Sequence, residues 1–284
     1  MNFEAQVSIV MAVLLGLLVG SFLNVVIYRL PLMLEKQWQV LAKQHLDLPL
    51  TEEELQPFNL MFPPSRCPEC GTGVKPWQNI PLLSYLLLRG RCHHCRIPIG
   101  WRYPAVELLT GVLFGVVAWR YGVSGVTLGG LLLTAMLIAM TFIDADTQLL
   151  PDQLTLPLIW LGLLFNWQFG FVSLPQALLG AVCGYMSLWL LFHLFKLLTG
   201  KDGMGYGDFK LLAALGAWLG VGSLPVIVFM AALVGLVAAL VMKAAKGQPI
   251  AFGPALAIAG WIVFVANDVV KQGMDWWLSK SGFI

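Results

Sequence analysis

Residues 125–152 read GVTLGGLLLTAMLIAMTFIDADTQLLPD, an apolar run that ends in three acids, Asp144, Asp146 and Asp152. No charge interrupts it between Gly125 and Ile143. That is close to the ~20 apolar residues a helix needs to cross a hydrocarbon core. The pattern recurs at about 7–28, 104–120, 154–171, 174–198, 209–221, 223–242 and 253–270, so eight segments are candidate spans. The sixth is the shortest. Of 284 residues, 58% are hydrophobic and only 11% charged, where soluble domains carry ~25% charged residues. The chain is therefore expected to be an all-α polytopic membrane protein with about eight transmembrane helices. No internal repeat or low-complexity tract stands out.

The basic residues set an orientation, because cytoplasmic loops are enriched in Lys and Arg. With eight spans and the N terminus outside, residues 29–103 lie inside, as do Lys196, Lys201, Lys210, Lys243 and Lys246. Fourteen of the seventeen Lys and Arg residues are then cytoplasmic, against Arg120, Lys271 and Lys280 outside. The reverse orientation inverts the bias. Asn2-Phe3-Glu4 before the first run has no positive charge, so that run is expected to be a retained span, not a cleaved signal peptide.

The sizeable polar stretch, residues 30–103, is small for an independent hydrophobic core. Glu35–Leu48 mixes apolar and charged residues at helical spacing, and Thr51 with Glu54 matches a capping box. The acidic run Glu52–Glu54 reads as a solvated helix start, with a docking surface for a basic partner as the other reading. Beyond Pro63-Pro64 come Cys67-Pro68-Glu69-Cys70 and Cys92-His93-His94-Cys95, separated by twenty-one residues. Two such pairs can present four thiolates to one tetrahedral zinc ion. Disulfides compete with that reading but suit the reducing cytoplasm poorly. The expectation is a structural zinc that supplies folding free energy to a small insertion between the first two spans. Cys183 stands alone in the fifth span and reads as packing.

Carboxylates at the ends of apolar segments are costly, which makes them candidates for chemistry. Asp144 closes one run. Asp146 is displaced by about 200° around a helix and cannot share its face. Asp152, after Pro151, suits a helix N-cap. Asp208 ends Gly203-Met204-Gly205-Tyr206-Gly207-Asp208 and opens another apolar run. Its glycines permit unusual backbone conformations and close approach of an extended strand. Either aspartate alone reads equally as a cap or a solvated loop charge. Together, one ionised and one protonated, they make an acid and base able to hydrolyse a peptide bond. Lys210 beside Asp208 is a possible counter-charge. Glu107, near the start of the second span, either reaches the interface or lines a site. His193 is deep in an apolar helix, and no serine–histidine or cysteine–histidine arrangement competes.

Taken together, these residues resemble the type IV prepilin peptidases, the bacterial aspartic GxGD membrane proteases. Gly20-Ser21-Phe22-Leu23-Asn24-Val25-Val26-Ile27-Tyr28-Arg29-Leu30-Pro31 is similar to that family's opening signature. The paired Cys-x-x-Cys motifs resemble its cytoplasmic domain, and Phe252-Gly253-Pro254-Ala255-Leu256 is similar to a Pro-Ala-Leu element of related proteases. The resemblance implies that Asp144 and Asp208 are the catalytic aspartates, with Gly205 and Gly207 shaping the loop and Cys67, Cys70, Cys92 and Cys95 holding Zn2+. It implies residues 1–29 as the first transmembrane helix, 30–103 as the cytoplasmic domain and 104–284 as a seven-helix membrane protease domain.

The resemblance further implies leader removal from type IV prepilins and type II secretion pseudopilins at the cytoplasmic side of the bacterial inner membrane. N-methylation of the new terminus with S-adenosylmethionine would follow. No Rossmann fingerprint marks a nucleoside pocket, and no nucleic-acid partner is expected. The alternatives are a peptidase without methylation, a transporter or proton relay using the intramembrane acids, and a zinc-bearing assembly scaffold. The missing inverted halves count against transport.

Overall fold

The computed structural model describes residues 3–201, 203–241 and 251–281; Lys243 and Lys246 of the expected inner loop lie outside them. Among the described residues the secondary structure is helical, with two isolated β-bridges and no strand. The chain packs as two compact units, Met1–Val123 and Ser124–Ile284.

The amino-terminal unit is built on α1 (Phe3–His45) and α4 (Arg102–Tyr121). Glycines let the two helices touch, as at many helix contacts within membranes. A Cβ on Gly16 would sit 2.7 Å from the Thr110 carbonyl oxygen, and one on Gly20 2.7 Å from the Glu107 Cα. The expected first span and the polar helix beyond it form one element, because α1 continues through Pro31 to His45. Its forty-three residues extend about 65 Å, roughly twice a hydrocarbon core.

Three short elements follow: α2 (Glu52–Leu55) folds back on its polar end, while a 3-10 turn (Pro76–Asn79) and α3 (Leu83–Leu87) lie beside Ser21 and Glu107. The Thr51 N–H donates to Glu54 at 2.8 Å, the reciprocal half of the expected capping box. Lys43 pairs with Glu54 at 2.6 Å, tying α2 to α1. Buried Arg29 donates to the carbonyls of Asn59 (3.0 Å) and Pro63 (2.6 Å), pinning the loop between.

The carboxy-terminal unit holds α5 (Gly125–Thr147), α6 (Asp152–Phe169), α7 (Leu174–Thr199), α8 (Tyr206–Leu219), α9 (Leu224–Val241), α10 (Gly253–Val265) and α11 (Asn267–Ser281). The short α8 is its most buried helix, surrounded by α6, α7 and α10. Its length is explained by its place: wrapped in protein, it need not match the bilayer. Gly180 of α7 and Gly216 of α8 meet backbone to backbone, leaving no room for a Cβ on either. Buried Asn166 of α6 donates to the Ala217 (2.8 Å) and Trp218 (3.0 Å) carbonyls and accepts from the Val172 N–H (2.8 Å). It thereby satisfies the end of α8, whose last carbonyls have no partner within the helix.

All eight predicted apolar segments are helical. Four described helical stretches are long and apolar enough to cross a membrane: residues 4–45, 125–147, 174–199 and 221–241. The predicted eighth span is a bent pair, because α10 and α11 meet at 88°, and it makes a fifth crossing if counted as one.

Candidate active site

The helix of residues 125–147 does continue through Asp144, as the apolar run predicts. Asp144 is buried, while Asp146 points away and is exposed. The helix stops at Gln148, which takes a left-handed φ of 53° and donates its N–H to the Asp144 carbonyl at 2.9 Å. That reversal sends Leu149-Leu150-Pro151 back across the helix end into α6.

Asp208 is not a cap. Gly205 holds the N-cap position of α8, and Asp208 follows as the third helical residue, also buried. A carboxylate there benefits from the first-turn N–H groups and the positive end of the helix. Its partner in the motif, Gly207, rests directly on Leu150: a Cβ at Gly207 would lie 2.6 Å from the Leu150 Cβ. Gly205 keeps a negative φ of -81°, and Gly207 lies inside the helix itself. Close approach is the use made of Gly203, against the Phe195 ring, and of Gly207, against Leu150, while Gly205 and Gly207 do not adopt the special backbone conformations expected of them.

The N-terminus of α10 completes the arrangement. Gly253 abuts the Asp144 carboxylate so closely that a Cβ would overlap Oδ2. Oδ2 itself is buried and takes no hydrogen bond among the described residues. Asp144 and Asp208, sixty-four positions apart, are near enough to repel one another electrostatically. Three helix ends therefore converge: the last turn of α5 and the first turns of α8 and α10.

The flanking charges separate from this pair. Asp152 is a first-turn residue of α6, with Pro151 in the cap position it was expected to fill. It pairs with Lys210 at 2.5 Å, so Lys210 neutralises Asp152 and is not the counter-ion of Asp208. His193 Nδ1 is 2.9 Å from the Trp189 carbonyl in its own helix. Tyr206 and Phe209 of α8 pack on Phe192 of α7, an aromatic brace beside Asp208. Leu150, Gly253 and this brace went unassigned as site elements, being apolar residues in an apolar sequence; the Phe-Gly-Pro-Ala-Leu motif was the available signal for Gly253.

In the amino-terminal unit the four cysteines meet. Their Sγ atoms all lie within 4.8 Å of one another, and Cys67 and Cys95 are 3.7 Å apart. A tetrahedral zinc with Zn–S bonds of ~2.3 Å separates its sulfurs by ~3.8 Å, so the cluster fits that ion. The Thr72 hydroxyl, 3.3 Å away, and then its backbone N–H pull the Cys70 thiol down to about 6, while burial and the neighbouring thiols push the Cys95 thiol up.

The two pairs also repeat one backbone device that dissimilar side chains conceal. Cys67 N–H donates to the Thr72 carbonyl (2.9 Å) and Cys92 N–H to the Ile97 carbonyl (2.8 Å). Each knuckle has a positive-φ residue after its second cysteine, Gly71 at 67° and Arg96 at 63°.

Fold and site together describe an α-helical membrane protein with a buried carboxylate pair and a cluster of four cysteines able to hold a metal ion. Residues 14–121 match the bacterial peptidase A24 N-terminal domain, and residues 131–240 match the type IV leader peptidase family. The chain is 64% identical to a Neisseria gonorrhoeae prepilin leader peptidase/N-methyltransferase over 272 residues, covering 96% of this chain and 95% of that one. It is 54% identical to the protein of the same name from Pseudomonas aeruginosa, covering 95% and 93%. No solved structure matches. The chain belongs to the type IV leader peptidase family and is an enzyme of it.

Proposed function

We propose that this enzyme removes the basic leader from type IV prepilins and type II secretion pseudopilins, then methylates the new N-terminal amine. Asp144 and Asp208 form the hydrolytic pair. The ionised carboxylate takes a proton from water as the water oxygen attacks the scissile carbonyl. The protonated one donates to the carbonyl oxygen and later to the leaving amine. Like charges held close favour this sharing of one proton. The observation that carries the reading is the burial of both carboxylates where three helix ends meet, with Asp144 Oδ2 unpartnered. Gly207 lets the start of α8 rest on the Leu150 side chain, and Gly205 caps that helix beside Asp208.

The setting is the bacterial inner membrane, N terminus periplasmic, with the pair at the cytoplasmic surface. A prepilin's positive leader and apolar helix meet at that depth. Residues 1–29 and 104–284 are embedded and 30–103 lie in the cytoplasm. This division by environment differs from packing, which joins α4 to α1. Zn2+ on Cys67, Cys70, Cys92 and Cys95 is structural, holding the two knuckles together.

The test is incubation of the purified enzyme with a prepilin, with and without S-adenosylmethionine, read by mass. The expected product has lost its leader in both reactions and gains one methyl only with the methyl donor. An intact prepilin overturns the peptidase reading, and a product never methylated overturns the second activity.

A further inference from the structure

The carboxylate pair and its neighbours lie wholly in the carboxy-terminal unit. The amino-terminal unit contains a cavity of about 1010 Å³ that hydrolysis leaves without a role. Its size is at the upper end of ligand sites, which span ~300–1,000 Å³. Ser21, Asn24, Tyr85, Tyr103 and Glu107 are in its wall. The knuckles contribute Cys67 and Cys92 to the same wall.

Glu107 is the informative member. It is 91% buried by its 9% exposure, on a helix where an uncompensated carboxylate is expensive. Its partners are neutral: the Leu82 N–H donates to Oε2 at 2.8 Å, and the Ser21 hydroxyl stands beside it. Leu82 adopts a φ of 56°, disfavoured for a leucine, while making that bond. Asn24, equally buried, donates to the Tyr103 carbonyl at 3.1 Å, linking α1 to α4 at the cavity. A buried carboxylate whose own partners are neutral among the described residues, facing a ligand-sized space that also carries Arg29, Arg66 and Lys75, suits a ligand that bears both a cation and an anion.

We propose that this cavity is the S-adenosylmethionine site and that Glu107 faces the sulfonium charge. The assignment rests on the methyl-transfer reading above and deepens it. As the deprotonated new N-terminal amine forms its N–C bond, the S–C bond breaks and its electron pair stays on sulfur. The methylated amine carries the positive charge onward, and the sulfur leaves as a neutral thioether. Glu107 thus holds the charged donor and loses its grip on the neutral product, which helps that product leave. The tyrosines offer faces for the adenine, and Asn24 holds the wall that receives it.

Equilibrium binding of S-adenosylmethionine and S-adenosylhomocysteine to the full-length enzyme in detergent tests this without turnover. The wild-type protein is expected to prefer the sulfonium ligand. Glu107→Gln, which keeps an acceptor for Leu82, is expected to weaken S-adenosylmethionine about tenfold or more and leave S-adenosylhomocysteine nearly unchanged, as for loss of one charge-assisted contact. An unchanged ratio between the two ligands overturns the assignment. Should Glu107→Gln lose its bound zinc or its monodisperse state, Ser84→Phe decides in the same assay. It fills the cavity wall, and undiminished binding of both ligands to it overturns the assignment. A wild-type enzyme that binds neither ligand and adds no methyl sinks the methyl-transfer reading as well. One that binds and methylates while Glu107→Gln keeps its ratio sinks this assignment alone.

Discussion

At the scale of single residues, charge in an apolar sequence was the readable signal, and contact was not. Asp144 and Asp208 stood out because a membrane chain carries few carboxylates, and both are buried. Lys210 was ambiguous from position alone; its 2.5 Å pair with Asp152 resolves it. Leu150 was invisible, since nothing in a leucine among leucines announces that Gly207 and Gly253 will both rest against it. The polar insertion offers a pH test of its local reading. The Lys43 side chain first, then the Thr51 N–H, hold the Glu54 carboxyl down to about 2. An unfolded glutamate titrates near ~4.3. A carboxyl lowered in the folded state stabilises it above the unfolded value and ceases to as pH falls through the folded one. Amide exchange in residues 51–55, corrected for intrinsic rate, is therefore expected to lose protection between about pH 4 and about pH 2. Glu54→Gln should remove that step. A pH-independent profile in the unmodified protein would contradict the capping account.

At the scale of elements, hydropathy found every apolar helix but not its ends. It divided α1 from the polar helix that continues it, because the polarity changes near residue 29 while the backbone hydrogen bonding does not. It joined α10 to α11 across an 88° bend, because the strongly apolar α10 carries the average over the first residues of the more polar α11. The shortest segment, α8, proved the central one, and its end depends on a single amide. Asn166→Ala leaves the Ala217 and Trp218 carbonyls and the Val172 N–H without that partner. The expected loss is roughly 1–3 kcal/mol for each group left unpaired, seen as a lower thermal midpoint in detergent. An unchanged midpoint would mean that α8 is capped by other means. The meeting of the four cysteines was legible from their spacing, whereas the shared backbone geometry of the two pairs was not, since Gly71 and Arg96 have no chemical likeness. Cys92→Ser is expected to reduce bound zinc well below one ion per chain by elemental analysis. Full occupancy in that variant would remove Cys92 from the ligand set.

For the whole molecule, the division between the two compact units, after Val123, falls between the two matched family regions, 14–121 and 131–240. The sequence proposed a boundary at residue 104 from where the chain leaves the cytoplasm; packing sets one at residue 123, because α1 and α4 share a glycine-lined contact. Hydrolysis is proposed for the second unit and methyl-donor binding for the first. The central claim is that Asp144 and Asp208 act as one centre. Residues that act as a unit lose function non-additively. Initial rates of prepilin cleavage should therefore be compared for Asp144→Asn, Asp208→Asn and the double variant, each shown to be membrane-inserted. The predicted result is that either single change removes leader cleavage as fully as both together. Substantial cleavage by either single variant, or losses that multiply in the double, would contradict it.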